Sequence, residues 1–198
     1  AAEAVRLLST LCVAGSFPAS LLYQLLGRVV LVVPRSSMSQ EDDNALHQIA
    51  LSLLHEPQAK DALAKVQANE ELWQELYQPF EVSGERSDGE KRQLIEAAAE
   101  AATDLHPGSF SSEKAANIDD FYIADLLLRA QGSEALGNSN EVRKGIVVDI
   151  DMSAWPWMAF PTSTWQKLKH RHMTLWGYEV IWINGQKLLG QSETDVHT

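Results

Sequence analysis

The sequence predicts an α/β protein, α+β overall, in which an N-terminal helical region over residues 1–108 precedes a small α/β domain over 109–198. Three observations carry this. From Ala1 to Leu105 apolar residues recur at helical spacing, in stretches punctuated by Gly and Pro. The segment Gly145–Asn184 then reads as strand, helix, strand. Charge also inverts along the chain: between Ser39 and Ala135 there are twenty acidic residues and seven basic ones, whereas between Arg143 and Lys187 six basic residues outnumber three acidic.

With 198 residues, 45% of them hydrophobic, the chain is long enough to bury a real core. The net charge of -11 argues against a general nucleic-acid surface, but the basic C-terminal stretch leaves room for a local anion site. Cys12 is the single cysteine and sits in an apolar helical pattern, so it reads as a buried core thiol. The longest apolar stretch, Ser20–Val33, is interrupted by Gln24, Gly27 and Arg28 and is too short to span a bilayer, so no membrane partner is expected. The chain starts at Ala1 without a methionine, which predicts a fragment or a processed product.

Taken in order, Val5, Leu8 and Cys12 mark a first helix that Gly15 breaks, and Pro18 opens a second helix to about Val30. This αα-hairpin cannot bury both faces alone and reads as the end of a helical array. Ser39 followed by Glu41, Asp42 and Asp43 is a helix start whose acids complement the positive end of the dipole, and Leu46, Ile49, Leu53 and Leu54 point inward to about His55. Gln58–Gln78 is helical again, broken near Asn69, with Leu63, Val66, Leu72, Trp73 and Leu76 as its stripe. Phe80–Asp88 reads as a linker and Gly89–Leu105 as an Ala/Glu-rich helix stopped by His106–Pro107–Gly108. Ser109–Ile118 reads as irregular.

Asp119–Arg129 fits two patterns. Helical spacing stacks Phe121, Asp125 and Leu128; strand alternation sends Tyr122, Ala124, Leu126 and Leu128 one way and Phe121, Ile123, Asp125 and Leu127 the other. Pattern alone favours helix slightly, but the Gly/Ser/Asn loop Gln131–Asn140 before the next apolar run favours a hairpin of strands. That run, Ile146–Asp151, is a short strand closed by Asp149 and Asp151. A Trp/Pro-rich loop, a helix over about Thr162–Trp176, a Gly177 stop and a strand over Tyr178–Ile183 complete the domain.

Leu168-x-x-Arg171-His172-Met173 followed by Gly177-Tyr178-x-Val180, after a VVDID strand, resembles the RAP domain found at the C-terminus of FAST-kinase-like proteins. The likeness covers about Phe121–Leu189, and the upstream helices are similar in kind to FAST regions. The resemblance implies a restriction-endonuclease-like fold and a role on organelle RNA, usually mitochondrial, in transcript processing, stability or ribosome assembly. It also selects the strand for Phe121–Leu128. The family's Gly-Pro-x-His loop is replaced here by Met152–Ser153–Ala154–Trp155–Pro156–Trp157.

Asp125, Asp149 and Asp151 are the candidate catalytic residues if the domain is a nuclease. In nucleases of such a fold an Asp and a D/E-x-K pair hold Mg²⁺ and activate water. Here the pair reads Asp149–Ile150–Asp151, and an acid stands where the lysine belongs. The alternative is a strand-end cluster that caps the following loop. On the helix, projection at 100° per residue puts Trp165, Leu168, His172, Leu175 and Trp176 on a buried arc. Lys167, His170, Arg171 and Thr174 lie opposite, with Lys169 at the border. His172 reads as a satisfied core histidine. Lys167, Lys169, His170 and Arg171, with Arg143 and Lys144 at the strand entry, are candidate phosphate contacts. Trp155 and Trp157 are candidate base-stacking groups, one of them exposed.

The expected function is a noncatalytic RNA-associated protein of an organelle, probing RNA or a ribonucleoprotein, with mitochondrial ribosome assembly as one setting. No cofactor or metal is expected unless the domain is a Mg²⁺-dependent nuclease. The other alternative is a structural module whose acidic helices bind basic protein surfaces.

Overall fold

Helix α1 (Ala2–Val13) buries Val5, Leu8 and Cys12, and α2 (Ala19–Val30) buries Leu22, Leu26 and Val29, each set spaced to line one face of its helix. The turn between them needs its glycine: Gly15 has φ +65°, its N–H bonds Cys12 O at 2.9 Å, and Ser16 N–H reaches back to Leu11 O at 2.9 Å, which closes α1 as a Schellman cap. The structure, a computed structural model, describes residues 2–77, 89–131, 144–155, 158–159, 161 and 163–194. The predicted linker Phe80–Asp88 lies outside the described residues, as do Arg143, Trp157 and nearly all of the Gln131–Asn140 loop.

Helix α3 (Gln40–His55) starts where its sequence signals place it. Ser39 Oγ accepts the Asp42 N–H at 3.1 Å, and three acids occupy the first turn. Pro57 opens a 3₁₀ turn that leads into α4 (Lys60–Gln67). The expected break at Asn69 is real: its Oδ1 accepts the Leu72 N–H at 3.1 Å and caps α5 (Glu70–Leu76). These helices share a buried cluster that includes Leu8, Leu26, Leu46, Ile49, Leu53, Val66 and Leu72.

The second group of elements contains α6 (Gly89–Leu105) and a four-stranded sheet in the order β1 (Phe110–Ile118), β2 (Tyr122–Ala130), β3 (Gly145–Asp151), β4 (Tyr178–Asn184). β1 and β2 form an antiparallel hairpin, β3 lies antiparallel to β2, and β4 runs parallel to β3 with Gly145 opposite Tyr178 and Asp151 opposite Asn184. The strand assignment for Phe121–Leu128 therefore holds. The irregular reading of Ser109–Ile118 does not, because that segment is the edge strand β1. Its sequence, FSSEKAANI, is polar and mostly exposed, and it is a strand by virtue of its ladder with β2 rather than its own pattern. Asp119 and Asp120 turn the hairpin with φ of 50° and 63°, a conformation that short polar side chains tolerate.

Helix α6 lays Ile95 and Ala99 on Leu126, Leu128, Val148 and Ile150, which are the residues of β2 and β3 that share one face of the sheet. Gly145 permits the close approach of β3 to β2, since a Cβ there would stand 2.7 Å from Leu128 O. Helix α7 (Thr164–Leu175) connects β3 to β4 in the chain, and α8 (Gly185–Thr194) follows β4.

Packing rather than chain order groups these elements. One compact unit is Ala1–Glu81 with Ser163–Leu175, so α7 belongs to the helices; the other is Val82–Thr162 with Trp176–Thr198, so α6 belongs to the sheet. The mixed helix-and-sheet class expected from the sequence is what the chain adopts.

Candidate functional site

The strand carboxylates sit in the α/β unit. Pairing between β2 and β3 runs from Leu128–Ile146 to Leu126–Val148. Just beyond it Asp125 Oδ2 accepts the Ile150 N–H at 2.6 Å, so a side chain continues what the backbone ladder leaves off. Asp125 Oδ1 receives Lys91 Nζ from the first turns of α6 at 2.9 Å. Burial holds the Asp125 carboxyl above its usual range; the Lys91 ammonium and the Ile150 N–H pull it back, and Asp149 adds like-charge repulsion.

Asp149 and Asp151 are both buried on β3, two residues apart and therefore on the same face. Asp151 Oδ1 accepts the Ser153 N–H at 2.9 Å and the Ser153 hydroxyl at 2.7 Å, which makes it a cap for the turn that follows the strand. Among the described residues no group of three His, Cys, Asp or Glu is arranged to hold a metal ion. The residues present therefore do not frame a Mg²⁺ site in this arrangement.

At the end of β4, buried Asn184 donates to Trp155 O at 2.7 Å and Met158 O at 3.1 Å, while its own Oδ1 accepts the Lys187 N–H at 3.1 Å and so starts α8. One side chain thus pins the loop after β3. The Trp155 side chain on that loop is 59% exposed. The expectation that one of the two loop tryptophans faces outward is met by Trp155; Trp157 lies outside the described residues.

The basic groups separate. Lys144 is half-exposed, pairs with Asp119 at 3.0 Å and stands 5.4 Å from the Tyr178 ring centroid. On α7, in the helical unit, Lys167 is exposed, His170 is half-buried and Lys169 is buried. Arg171 faces the helices. Its Nη2 donates to Glu56 Oε2 at 2.6 Å, its Nε approaches Glu56 Oε1 at 2.5 Å, and its Nη1 donates to Cys12 O at 3.2 Å. The buried arc of α7 is rotated from the one projected: Leu168, Lys169, His172 and Met173 are inside and Leu175 is exposed.

His172 is fully buried, with Nε2 at 2.9 Å from Ser52 Oγ, which itself donates to Gln48 O at 2.9 Å. Burial, with the nearby charges of His55 and Arg171, drives its pKa down to about 3. His47 falls to about 4 for the same first reason, burial, helped by Arg35. Cys12, buried beside Ser52, is pushed up to about 12, so it is an inert thiol.

Sequence reasoning missed Lys91, Glu56 and Asn184. Lys91 is one charge among several in an Ala/Glu-rich helix, and nothing local ties it to a strand 34 positions later. Glu56 sits between His55 and Pro57, where an acid reads as solvated. No protein-family profile, curated protein or solved structure matches the chain. Among the described residues no helix is long and apolar enough to cross a membrane.

Proposed function

We propose that this chain is a noncatalytic RNA-associated protein of an organelle, mitochondrial by the RAP-like reading, which docks on single-stranded RNA or a ribonucleoprotein in RNA processing, stability or ribosome assembly. The observation that supports it best is the pinned, exposed Trp155. An aromatic face held out by a fixed loop has already lost much of the freedom that stacking on a base would cost. Exposed Lys167 and half-exposed Lys144 are the matching phosphate contacts, far fewer than a basic track would offer. The carboxylates support a noncatalytic role, since Asp125 and Asp151 are engaged with Lys91, a strand amide and a turn.

Titration of the full chain against a labelled single-stranded RNA, read by anisotropy, tests this reading. Trp155→Ala should weaken binding about tenfold or more, as loss of one stacked base does. Lys167→Ala should weaken it less and reduce the salt slope. Unchanged affinity for Trp155→Ala would sink the assignment.

The rival reading is a Mg²⁺-dependent nuclease, and it draws on one observation: Lys91 puts an ammonium beside Asp125, which a D-x-D strand otherwise lacks. Cleavage of the same RNA with Mg²⁺, lost on Lys91→Ala, would establish it.

A further inference from the structure

Helix α7 is held in the helical unit by an unusual set of contacts. Of its side chains only Leu168 joins the buried apolar cluster of that unit. Its other attachments there are polar and reach across 115 to 159 positions of chain: Gln48 Nε2 donates to Trp165 O at 2.9 Å, Ser52 meets His172, and Arg171 spans Glu56 and Cys12 O. The helices α1–α5, by contrast, hold one another through a continuous apolar core.

At the centre of the polar set lies His172, which has no exposure to water. The groups around it are the Cys12 thiol and carbonyl from α1, Ser52, His47, His55 and Glu56 from α3 and its end, and Lys169, His170 and Arg171 on its own helix. Glu56 is the acid in that set and is already bound by Arg171, so a proton on the imidazole would add a second cation beside Arg171 in a closed site.

We propose that α7 is a pH-sensitive clasp: proton uptake at His172 releases α7 from α1 and α3 while the apolar core of α1–α5 stays formed. An exposed histidine takes up its proton near 6.5, whereas the docked one resists down to about 3. Opening is therefore favoured by acid, and at pH 5 the linkage amounts to about a 30-fold shift toward the released form. His47, on α3 and lowered to about 4, adds a shift of the same sign if release exposes it. Glu56 acts in the opposite sense, because burial raises its carboxyl and acid then favours the docked form. Release is accordingly driven in the window below pH 6.5 and opposed as Glu56 takes up its own proton.

Hydrogen–deuterium exchange of the full chain at pH 7.5 and 5.0, corrected for intrinsic exchange rates, reads this directly. Protection of peptides from α7 should fall about 30-fold more than protection of peptides from α2. In His172→Gln, which keeps a hydrogen-bonding group but cannot titrate, that extra loss should vanish. Should that variant fail to fold, the imidazole signal of His172 in the unsubstituted chain decides: the clasp requires it to stay neutral in the docked form well below pH 6.5. Parallel loss of protection in α2 and α7, or a docked His172 that titrates near 6.5, overturns the proposal.

Discussion

In the helical unit the buried ionisable groups at the centre are kept neutral, with His172 and His47 driven down and Cys12 driven up, and one ion pair, Arg171–Glu56, among them. In the α/β unit the buried groups are carboxylates, and Asp125 is set against Lys91 and a strand amide. The same cause, loss of water, moves the two sets in opposite directions on the pH scale. A histidine whose folded pKa is lowered contributes its full share of stability above 6.5 and loses it as pH falls. A carboxyl whose folded pKa is raised favours the folded form in mild acid and loses that advantage as pH rises. Acid therefore loosens the helical unit and not the α/β unit.

The contrast breaks most sharply at Arg171. Arg171→Ala leaves the Glu56 carboxyl buried without its cation and removes the donor to Cys12 O, so urea denaturation should show a loss of about 3–5 kcal/mol. A loss below about 1 kcal/mol would mean that water reaches Glu56. Lys91→Met is the matching change in the other unit, expected to cost about 1–3 kcal/mol at neutral pH. That cost should shrink toward pH 4 as Asp125 takes up a proton, and an equal cost at both pH values would show that the pair is not electrostatic. The smallest effect is at the surface: Ser39→Ala removes the α3 cap and should cost about 1 kcal/mol, independent of pH.

Elements whose own residues carry their signal were legible in the sequence. The caps at Ser39 and Asn69, the Gly15 stop, the stripe of α1–α5 and the alternation in β2 and β3 are local patterns, and the fold keeps them. What was not legible depends on partners far along the chain. β1 is a strand only beside β2, and α7 turns Lys169 inward and Leu175 outward according to the helices it meets rather than its own periodicity. For the same reason Lys91 could not be matched to Asp125, nor Arg171 to Glu56, before the elements were placed. Asp149 and Asp151 were readable as a same-face pair, but their use as buried and turn-capping groups was not.

The central functional claim is that the chain holds RNA through Trp155 without cutting it. Incubation of the full chain with a labelled single-stranded RNA in the presence of Mg²⁺ gives both answers at once, with anisotropy reporting binding and a denaturing gel reporting length. The account predicts intact RNA whose binding is weakened about tenfold or more by Trp155→Ala and left unchanged by Asp125→Asn. Shortened RNA that becomes intact again in Asp125→Asn, or binding indifferent to Trp155→Ala, would contradict it.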